Sequence, residues 1–246
     1  YLHPVKEGLS TAETVLYTTR SDRKFTDEEA KLLDLCLMLH AEHGGGNNSA
    51  FATRVLTSSG TDTYSAISAG IGSLKGTRHG GANLKVAEMI KYLKEDVADI
   101  TDEGQIADFL KKIINREAGD KSGLVYGMGH AVYTLSDPRQ VILKREARKI
   151  AEEKGYGADF RALELIETLT PEIFASEKNN NKKICANVDL YSGLIYEMLD
   201  IPMDLYTPLF AVARVAGWSA HRIEELICVD KIIRPAYKSI MEEKNV

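Results

Sequence analysis

The sequence predicts an all-α protein. Alternation of apolar and polar residues, the two-residue period of a half-buried strand, does not extend over a useful length anywhere in the chain. Apolar residues instead recur every three or four positions, in runs bounded by helix-capping residues. The clearest run has Asp137 at the N-cap, Pro138 at the first helical position and Gly155 after the last turn.

The other predicted helices follow in order along the chain. Thr26 and Glu29 form a capping box that starts one of them. Asp102 lies in an N-cap with an acidic first turn, ahead of a one-sided apolar stripe. Pro171 is expected to end the helix that begins at Asp159, because proline lacks the N–H group that a helix interior needs. The remaining predicted helices span 12–17, 49–56, 64–74, 84–93, 189–199, 205–216 and 219–228.

The most unusual residues lie at the two ends of a helical segment in the middle of the chain. We expect residues 81–185 to form a small helical domain, with residues 1–80 and 186–246 packing together as parts of a larger one. This division predicts a cleft between the two domains.

Composition excludes several classes of partner. The net charge is -5 and charged residues of both signs are interspersed, which disfavours binding to nucleic acid or to a membrane surface. No apolar run approaches the roughly 18 residues of a membrane span. Cys36, Cys185 and Cys228 are an odd number without paired spacing, which indicates reduced thiols and a cytoplasmic compartment. Small molecules and other copies of the chain remain as expected partners.

The chain opens with Tyr1-Leu2-His3-Pro4 and lacks an initiator methionine. We interpret it as a fragment or a processed piece of a longer protein.

Two histidines lie between glycines and other small residues. His79 comes at the predicted start of a helix, where the positive end of the helix dipole disfavours protonation and leaves a neutral imidazole that can donate a hydrogen bond. His130 lies in Tyr-Gly-Met-Gly-His, and Asp189 starts another apolar helix. A lone histidine at a helix start is more often plain polar surface, so the prediction of catalytic residues depends on the three together.

His40 and His43 lie on one helical face, so a metal site has to be considered. No third ligand cluster is evident, and the His-Glu-x-x-His arrangement is absent. The glycines after His43 favour close approach of a ligand to the backbone instead. We therefore expect no metal, and we interpret His221 and His3 as ordinary surface histidines.

Six motifs occur in the order found in citrate synthases. The chain resembles the C-terminal part of that family over nearly its whole length. The motifs are His-x-x-His-Gly-Gly-Gly-Asn at 40–47, Gly-x-x-His-Gly-Gly-Ala-Asn at 76–83, Gly-x-Gly-His-Ala-Val-Tyr at 127–133, Asp-Pro-Arg at 137–139, Asn-Val-Asp-x-Tyr-Ser-Gly at 187–193 and Ala-x-Ala-Arg at 211–214.

The resemblance implies a helical fold with a cleft, and a reaction that joins acetyl-CoA to oxaloacetate and hydrolyses the citryl thioester. By similarity, Asp189 removes the methyl proton, and His79 donates a hydrogen bond to the enol or enolate oxygen. His130 polarises the oxaloacetate carbonyl and protonates the new alkoxide. Acetyl-CoA is a substrate, and no cofactor is expected.

The resemblance also implies the binding residues. His43, Arg139, Arg214 and Arg234 correspond to the groups that hold the carboxylates of oxaloacetate or citrate. The counterpart of Arg234 comes from a partner subunit, which implies a homodimer. The adenine of CoA is expected on the backbone of Leu124, Val125, Tyr126, Gly127 and Met128. Thr134 stands where family members often have a lysine or arginine for the CoA phosphates.

Three functions stay open from the sequence. The first is citrate synthesis, and the second is a related activity of the same fold, 2-methylcitrate synthase or citryl-CoA lyase. Selection between acyl chains depends on one methylene, which is worth only about 1 to 3 kcal/mol in a pocket. The third is a catalytically silent helical fragment.

Overall fold

The computed structural model describes residues 4–77, 79–130, 132–180, 183–229, 231–236 and 238, and it confirms the all-α prediction. Arg78 and Ala131, which belong to two of the motifs, lie outside the described residues, as does His3. No β-strand occurs within the described ranges, where one isolated antiparallel bridge pairs Met128 with Ala186. The α-helices are α1 (Thr11–Thr19), α2 (Asp27–His40), α3 (Asn48–Ser58), α4 (Thr63–Leu74), α5 (Ala82–Asp96), α6 (Glu103–Ile114), α7 (Pro138–Glu153), α8 (Gly157–Lys178), α9 (Asp189–Met198) and α10 (Tyr206–Cys228), and a 3₁₀ turn at Met203–Leu205 precedes α10.

The predicted caps start their helices. The Thr26 side chain accepts from the Glu29 backbone and the Glu29 carboxylate accepts from the Thr26 backbone, which completes the capping box of α2. Asp102 and Asp137 accept from the first-turn N–H groups of α6 and α7. Each aspartate thereby satisfies a backbone donor that has no partner inside its helix.

Two predicted helix ends are wrong. Pro171 lies inside α8, which continues to Lys178 because Ile173 and Phe174 pack against the core and Asn115 donates to Glu177. The two helices predicted at 205–216 and 219–228 are one helix, α10. Gly217 is a point of close approach to another segment rather than a break, as the contacts of the site make clear.

The main core is one continuous cluster of buried apolar side chains, contributed by all the α-helices except α3 and α4. A second, small cluster of Ala50, Leu74 and Trp218 lies between α3, α4 and α10. The division into domains at residues 81 and 185 stays a prediction. None of the described helices is both long and apolar enough to cross a membrane.

Helices α2 and α7 run antiparallel and set two sides of the site. The C-terminal end of α2 leads into residues 41–46, and the N-terminal end of α7 carries Arg139 beside them. At the far ends, Lys154 after α7 pairs with Glu29 of α2, which also forms a two-pronged ion pair with Arg20. This ion-pair node of Arg20, Glu29 and Lys154 holds the N-terminal end of α2 against the C-terminal end of α7.

Candidate active site

A cavity of about 350 Å³ opens between the segment that follows α2 and the start of α7. It is lined by Glu42, His43, Gly44, Val132, Tyr133 and Arg139. The ring of His130 lies beside that of His43, with 5.2 Å between the ring centroids. The structure therefore brings together three predicted site residues, His43, His130 and Arg139.

The imidazole of His130 has a defined tautomer. Its Nδ1 accepts hydrogen bonds from the backbone N–H groups of Val132, at 2.9 Å, and Tyr133, at 3.0 Å. In the neutral ring the proton is therefore on Nε2. Arg139 Nη2 lies 3.3 Å from this nitrogen, and since both groups are donors in this tautomer the contact is not a hydrogen bond. Burial lowers the pKa of His130, and the charge of Arg139 lowers it further against the opposing effect of Asp137. His130 is set up as a neutral hydrogen-bond donor.

Arg139 is held in place by a buried carboxylate two residues before it. Asp137 is fully buried and accepts from the Arg139 side chain at Nε, 3.0 Å, and at Nη2, 2.7 Å. Burial alone would raise the pKa of Asp137, but the hydrogen bonds and charge of Arg139 keep it below its ordinary value. The capping aspartate thus also orients the arginine.

Arg214 is a buried cation without a complete set of partners. It is 1% exposed on the inner face of α10, and its Nε donates to the His40 carbonyl at 2.6 Å. Both terminal nitrogens, Nη1 and Nη2, are buried without a hydrogen-bond partner. Burial lowers the pKa of this guanidinium to about 10. A buried fork with two free donors is suited to binding a carboxylate.

His79 lies in the turn before α5 rather than in its first turn. Its backbone N–H donates to Gly76, and the helix starts at Ala82 after an N-cap at Gly81. The ring instead reaches the start of α3, where Nε2 lies 3.0 Å from the Ser49 hydroxyl. Burial, and then the charge of Arg214, lower the pKa of His79. The sequence predicts a neutral His79 because of a helix dipole, but in the structure burial and the charge of Arg214 favour the neutral ring.

Ser49 is a site residue that the sequence analysis missed. Its hydroxyl accepts from the Trp218 indole at 3.1 Å and lies 2.9 Å from Asn47 Oδ1, in addition to its contact with His79. The hydroxyl donates its single proton to Asn47 Oδ1, which can only accept, so His79 Nε2 is the donor in this arrangement. A hydroxyl turned to donate to Nε2 would leave the His79 proton on Nδ1. The sequence signal is weak, since an Asn-Asn-Ser run reads only as a helix cap.

Asp189 is the first residue of α9, and the residue as a whole is half-buried. Burial raises its pKa to about 6, while the charges of Arg139 and Arg214 act in the opposite direction. Because these two arginines also act on His43, the acid belongs to the same cluster of charges as the cavity. Its proton can therefore be exchanged near neutral pH, unlike that of an ordinary aspartate.

The predicted adenine cradle, residues 124–128, is tied to the start of α9. Asn187 donates from its backbone to Gly127, at 2.9 Å, and from its side chain to Gly129, also at 2.9 Å. Gly127 has a positive φ of 81°, and a Cβ there would lie 2.8 Å from the Leu190 Cα. Leu124 is exposed, Val125 is buried, Tyr126 bonds to Asp120, and Met128 is partly buried. This loop therefore fixes His130 relative to Asp189.

Arg234 is not part of this cluster. It is exposed, and the preceding Ile233 donates to Ser58 at the C-terminal end of α3. Ser49, which contacts His79, is at the other end of that helix, about 14 Å away at 1.5 Å per residue. Within one chain, Arg234 therefore lies near the end of α3 that is remote from His79.

Two interpretations of single histidines can now be compared with the structure. His40 is fully buried, and its Nδ1 lies 2.8 Å from the Cys36 carbonyl. Burial lowers its pKa to about 4, so it is neutral. The interpretation of His221 as plain surface is wrong, because its side chain is only 15% exposed and contacts Glu42. Among the described residues, no three histidine, cysteine or acidic side chains come together as a metal site.

Comparison with known proteins adds to this geometry. Residues 1–236 match the family model described as "Citrate synthase, C-terminal domain". The citrate synthase of Synechocystis sp. is 36% identical over 241 residues, which cover 95% of this chain and 56% of that protein. The citrate synthase of Acidithiobacillus ferridurans is 40% identical over 231 residues, covering 94% and 55%. The chain thus spans little more than half the length of these curated relatives.

A solved structure is similar in fold. The ternary complex of carboxymethyl coenzyme A and oxaloacetate with citrate synthase from Thermoplasma acidophilum has a TM-score of 0.78 and 31% sequence identity. The similarity covers 98% of this chain and 60% of that one.

Proposed function

The chain belongs to the citrate synthase family, and we propose that it carries the catalytic centre of a citrate synthase. The reaction joins the methyl carbon of acetyl-CoA to the ketone carbon of oxaloacetate and then hydrolyses citryl-CoA to citrate and CoA. One observation carries the proposal. The charges of Arg139 and Arg214 act on an acid whose pKa is raised to about 6, Asp189. They also act on two imidazoles whose pKa is lowered, His79 and His130. Arg214 itself has two buried donors without a partner.

The free donors support binding of a dicarboxylate. Arg214 offers Nη1 and Nη2 to one carboxylate, and Arg139, oriented by Asp137, faces the cavity opposite His43. A bound anion would relieve the cost of burying an unpaired guanidinium. Oxaloacetate, with a carboxylate at each end, is matched to such a pair of cations.

The proton steps follow from the protonation states. Ionised Asp189 takes a proton from the methyl group of acetyl-CoA, and the electron pair moves toward the thioester oxygen. His79 donates a hydrogen bond to that oxygen from Nδ1 when the Ser49 hydroxyl donates to Nε2. The enol carbon attacks the ketone carbon of oxaloacetate, and the Nε2 proton of His130 goes to the new alkoxide. Water returns a proton to His130, its hydroxide adds to the thioester carbonyl carbon, and the departing CoA thiolate takes the proton held by Asp189.

We propose that CoA lies along residues 124–128. Gly127 turns the chain there with a positive φ, and Asn187 joins this loop to the catalytic Asp189. Thr134 offers no charge to a CoA phosphate, so phosphate contacts come from other residues. In this proposal acetyl-CoA is a substrate and no cofactor takes part.

We further propose a homodimer in which Arg234 completes the site of the partner. Support comes from the position of Arg234 near the end of α3 that is remote from His79, and from an apolar outer face of neighbouring helices. That face consists of Phe51 and Leu56 of α3, Tyr64 and Ile71 of α4, and Val212, Val215, Ile223, Leu226 and Ile227 of α10, all exposed in the single chain.

The test is oxaloacetate-dependent release of free CoA thiol from acetyl-CoA, with propionyl-CoA and citryl-CoA assayed in parallel. A citrate synthase releases thiol faster from acetyl-CoA than from propionyl-CoA. The reverse preference would assign 2-methylcitrate synthesis. Cleavage of citryl-CoA to acetyl-CoA without thiol release would assign a lyase, and silence with all three would leave a helical fragment without turnover.

A further inference from the structure

The segment that presents His43 is bonded residue by residue to one face of α10. Arg214 Nε donates to the His40 carbonyl at 2.6 Å, and the Gly217 N–H donates to the Ala41 carbonyl at 3.1 Å. One turn further, His221 Nε2 lies 3.0 Å from Glu42 Oε1. Positions 214, 217 and 221 share a helix face, so α10 contacts three consecutive residues of the segment.

The segment 41–45 and helix α10 are packed too closely for the segment to shift along the helix. A Cβ at Gly217 would lie 2.3 Å from the Ala41 carbonyl oxygen and 2.4 Å from Glu42 Oε2. A Cβ at Gly45 would lie 3.2 Å from the His221 ring. The segment 41–45 therefore rests directly on the Gly217–His221 turn of α10.

Glu42 transmits this contact to the cavity. The same oxygen that faces His221 accepts the backbone N–H of His43, at 2.8 Å, and that of Gly44. Burial alone would raise the pKa of Glu42, but the hydrogen bonds from His221 and these backbone groups lower it. Gly44 has a positive φ of 86°, so the turn needs a fixed anchor at its start.

His221 has few other contacts with charged groups. Glu224 of the same helix lies 3.4 Å from Nδ1 and is 63% exposed. Arg54 of α3 pairs with Glu225 and lies on the other side of Gly45. Neither contacts His43.

We propose that His221 is a positioning residue for dicarboxylate binding. Through Glu42 it holds the backbone of His43 and Gly44, and so keeps the His43 ring directed into the cavity opposite Arg139. The identity of the ligand rests on the proposed function, whereas the positioning itself does not.

The test compares His221→Ala, His221→Gln and the control Glu224→Gln in the full chain. His221→Ala should raise KM for oxaloacetate about tenfold, the effect of one lost hydrogen bond to a charged group. kcat and KM for acetyl-CoA should stay within twofold. His221→Gln should restore most of the affinity, because its amide N–H can occupy the position of Nε2, and Glu224→Gln should match the wild type.

Hydrogen exchange at the His43 and Gly44 amides provides a readout without substrate. His221→Ala should speed exchange about tenfold at both amides, and His221→Gln should reverse this. Unchanged exchange and KM in His221→Ala would overturn the inference, as would a loss of kcat alone or a failure of glutamine to rescue. If His221→Ala does not fold, His221→Ser takes its place with the same expected results. Faster exchange in a chain that does not turn over oxaloacetate would refute the proposed function and leave the positioning role standing.

Discussion

Protonation of Asp189 should cause the loss of activity at low pH. Its carboxyl must be ionised to act as a base, and burial raises its pKa to about 6. Above that pH the base is ionised, and below it kcat/KM for acetyl-CoA should fall about tenfold per pH unit. A pH profile from 4.5 to 8 checks this. Bound oxaloacetate would neutralise Arg139 and Arg214, which lower this pKa in the free protein, so the bend in kcat should lie at higher pH.

The matching substitution is Asp189→Asn, which should lower kcat about a thousandfold while oxaloacetate still binds, within the range of lost general-base catalysis. Titration calorimetry and thiol release separate the two effects. Asp204→Asn, at an exposed position, is the control. An Asp189→Asn protein that keeps wild-type turnover would remove this residue from the proposed mechanism.

Arg214 should contribute strongly to oxaloacetate binding and little to the stability of the unliganded fold. Its terminal nitrogens are buried without partners in the free chain, so Arg214→Met keeps the volume and removes a buried charge. The midpoint of thermal unfolding without ligand should change little, because removal of a buried charge offsets the lost hydrogen bond from Nε to the His40 carbonyl. Affinity for oxaloacetate should fall at least about a hundredfold. A large loss of unliganded stability would contradict this account of the arginine.

Individual side chains were predictable from the sequence where a motif marks them. The glycines around His79 and His130 and the aspartate at 189 led to residues that the structure gathers around one group of charges. Ser49 and His221 were not predictable in this way, because their roles depend on contacts with residues distant in sequence, 30 residues away for Ser49 and His79 and 179 for His221 and Glu42. Nothing in the local pattern reports such a contact.

At the scale of helices, two glycines predict opposite effects of the same substitution. Gly217→Ala in α10 should destabilise the fold by about 1 to 3 kcal/mol, because its Cβ would overlap the Ala41 carbonyl. Gly72→Ala in α4 should stabilise it by about 0.5 to 1 kcal/mol, since nothing lies within 4 Å of its Cβ and alanine favours a helix. Urea denaturation measures both. Equal effects would mean that the contact with Ala41 is absent.

The node at the far ends of α2 and α7 should set acid stability. Glu29 is 6% exposed, and burial, which alone would raise its pKa, is outweighed by hydrogen bonds from Arg20 and Lys154 that lower it to about 2. Its contribution is full above the unfolded value of 4.5 and is lost as the pH falls toward 2. Glu29→Gln should therefore cost about 2 to 3 kcal/mol at pH 7 and much less near pH 2. Denaturation of both proteins across this range checks the sign, and a constant difference would contradict it.

The helices were largely predictable because each cap and apolar stripe is local. The errors at Pro171 and Gly217 have one physical cause. Packing of Ile173 and Phe174 carries α8 past a residue that disfavours a helix, and Gly217 permits close approach inside α10. Tertiary contacts outweighed local propensity at both positions.

For the whole molecule, the apolar outer face of α3, α4 and α10 predicts self-association. Ile223→Glu combined with Ile227→Glu should convert a dimer into monomers, since two charges would be buried in the interface. Val5→Glu alters an exposed apolar residue elsewhere and should leave the dimer intact. Sedimentation velocity distinguishes the species, and a wild-type protein that is monomeric at all concentrations would contradict the prediction.

One face of α10 contacts the segment that carries His43, and the opposite face belongs to the proposed dimer interface. Arg214 and His221 point inward to the segment that carries His43, while Val215 and Ile223 on the same turns point outward. A shift of α10 at its outer face would therefore also move Arg214 and His221 on its inner face. Dilution of the protein, which by mass action separates associated copies, would then also weaken its hold on a dicarboxylate. The apparent affinity for the dicarboxylate would then increase with the protein concentration.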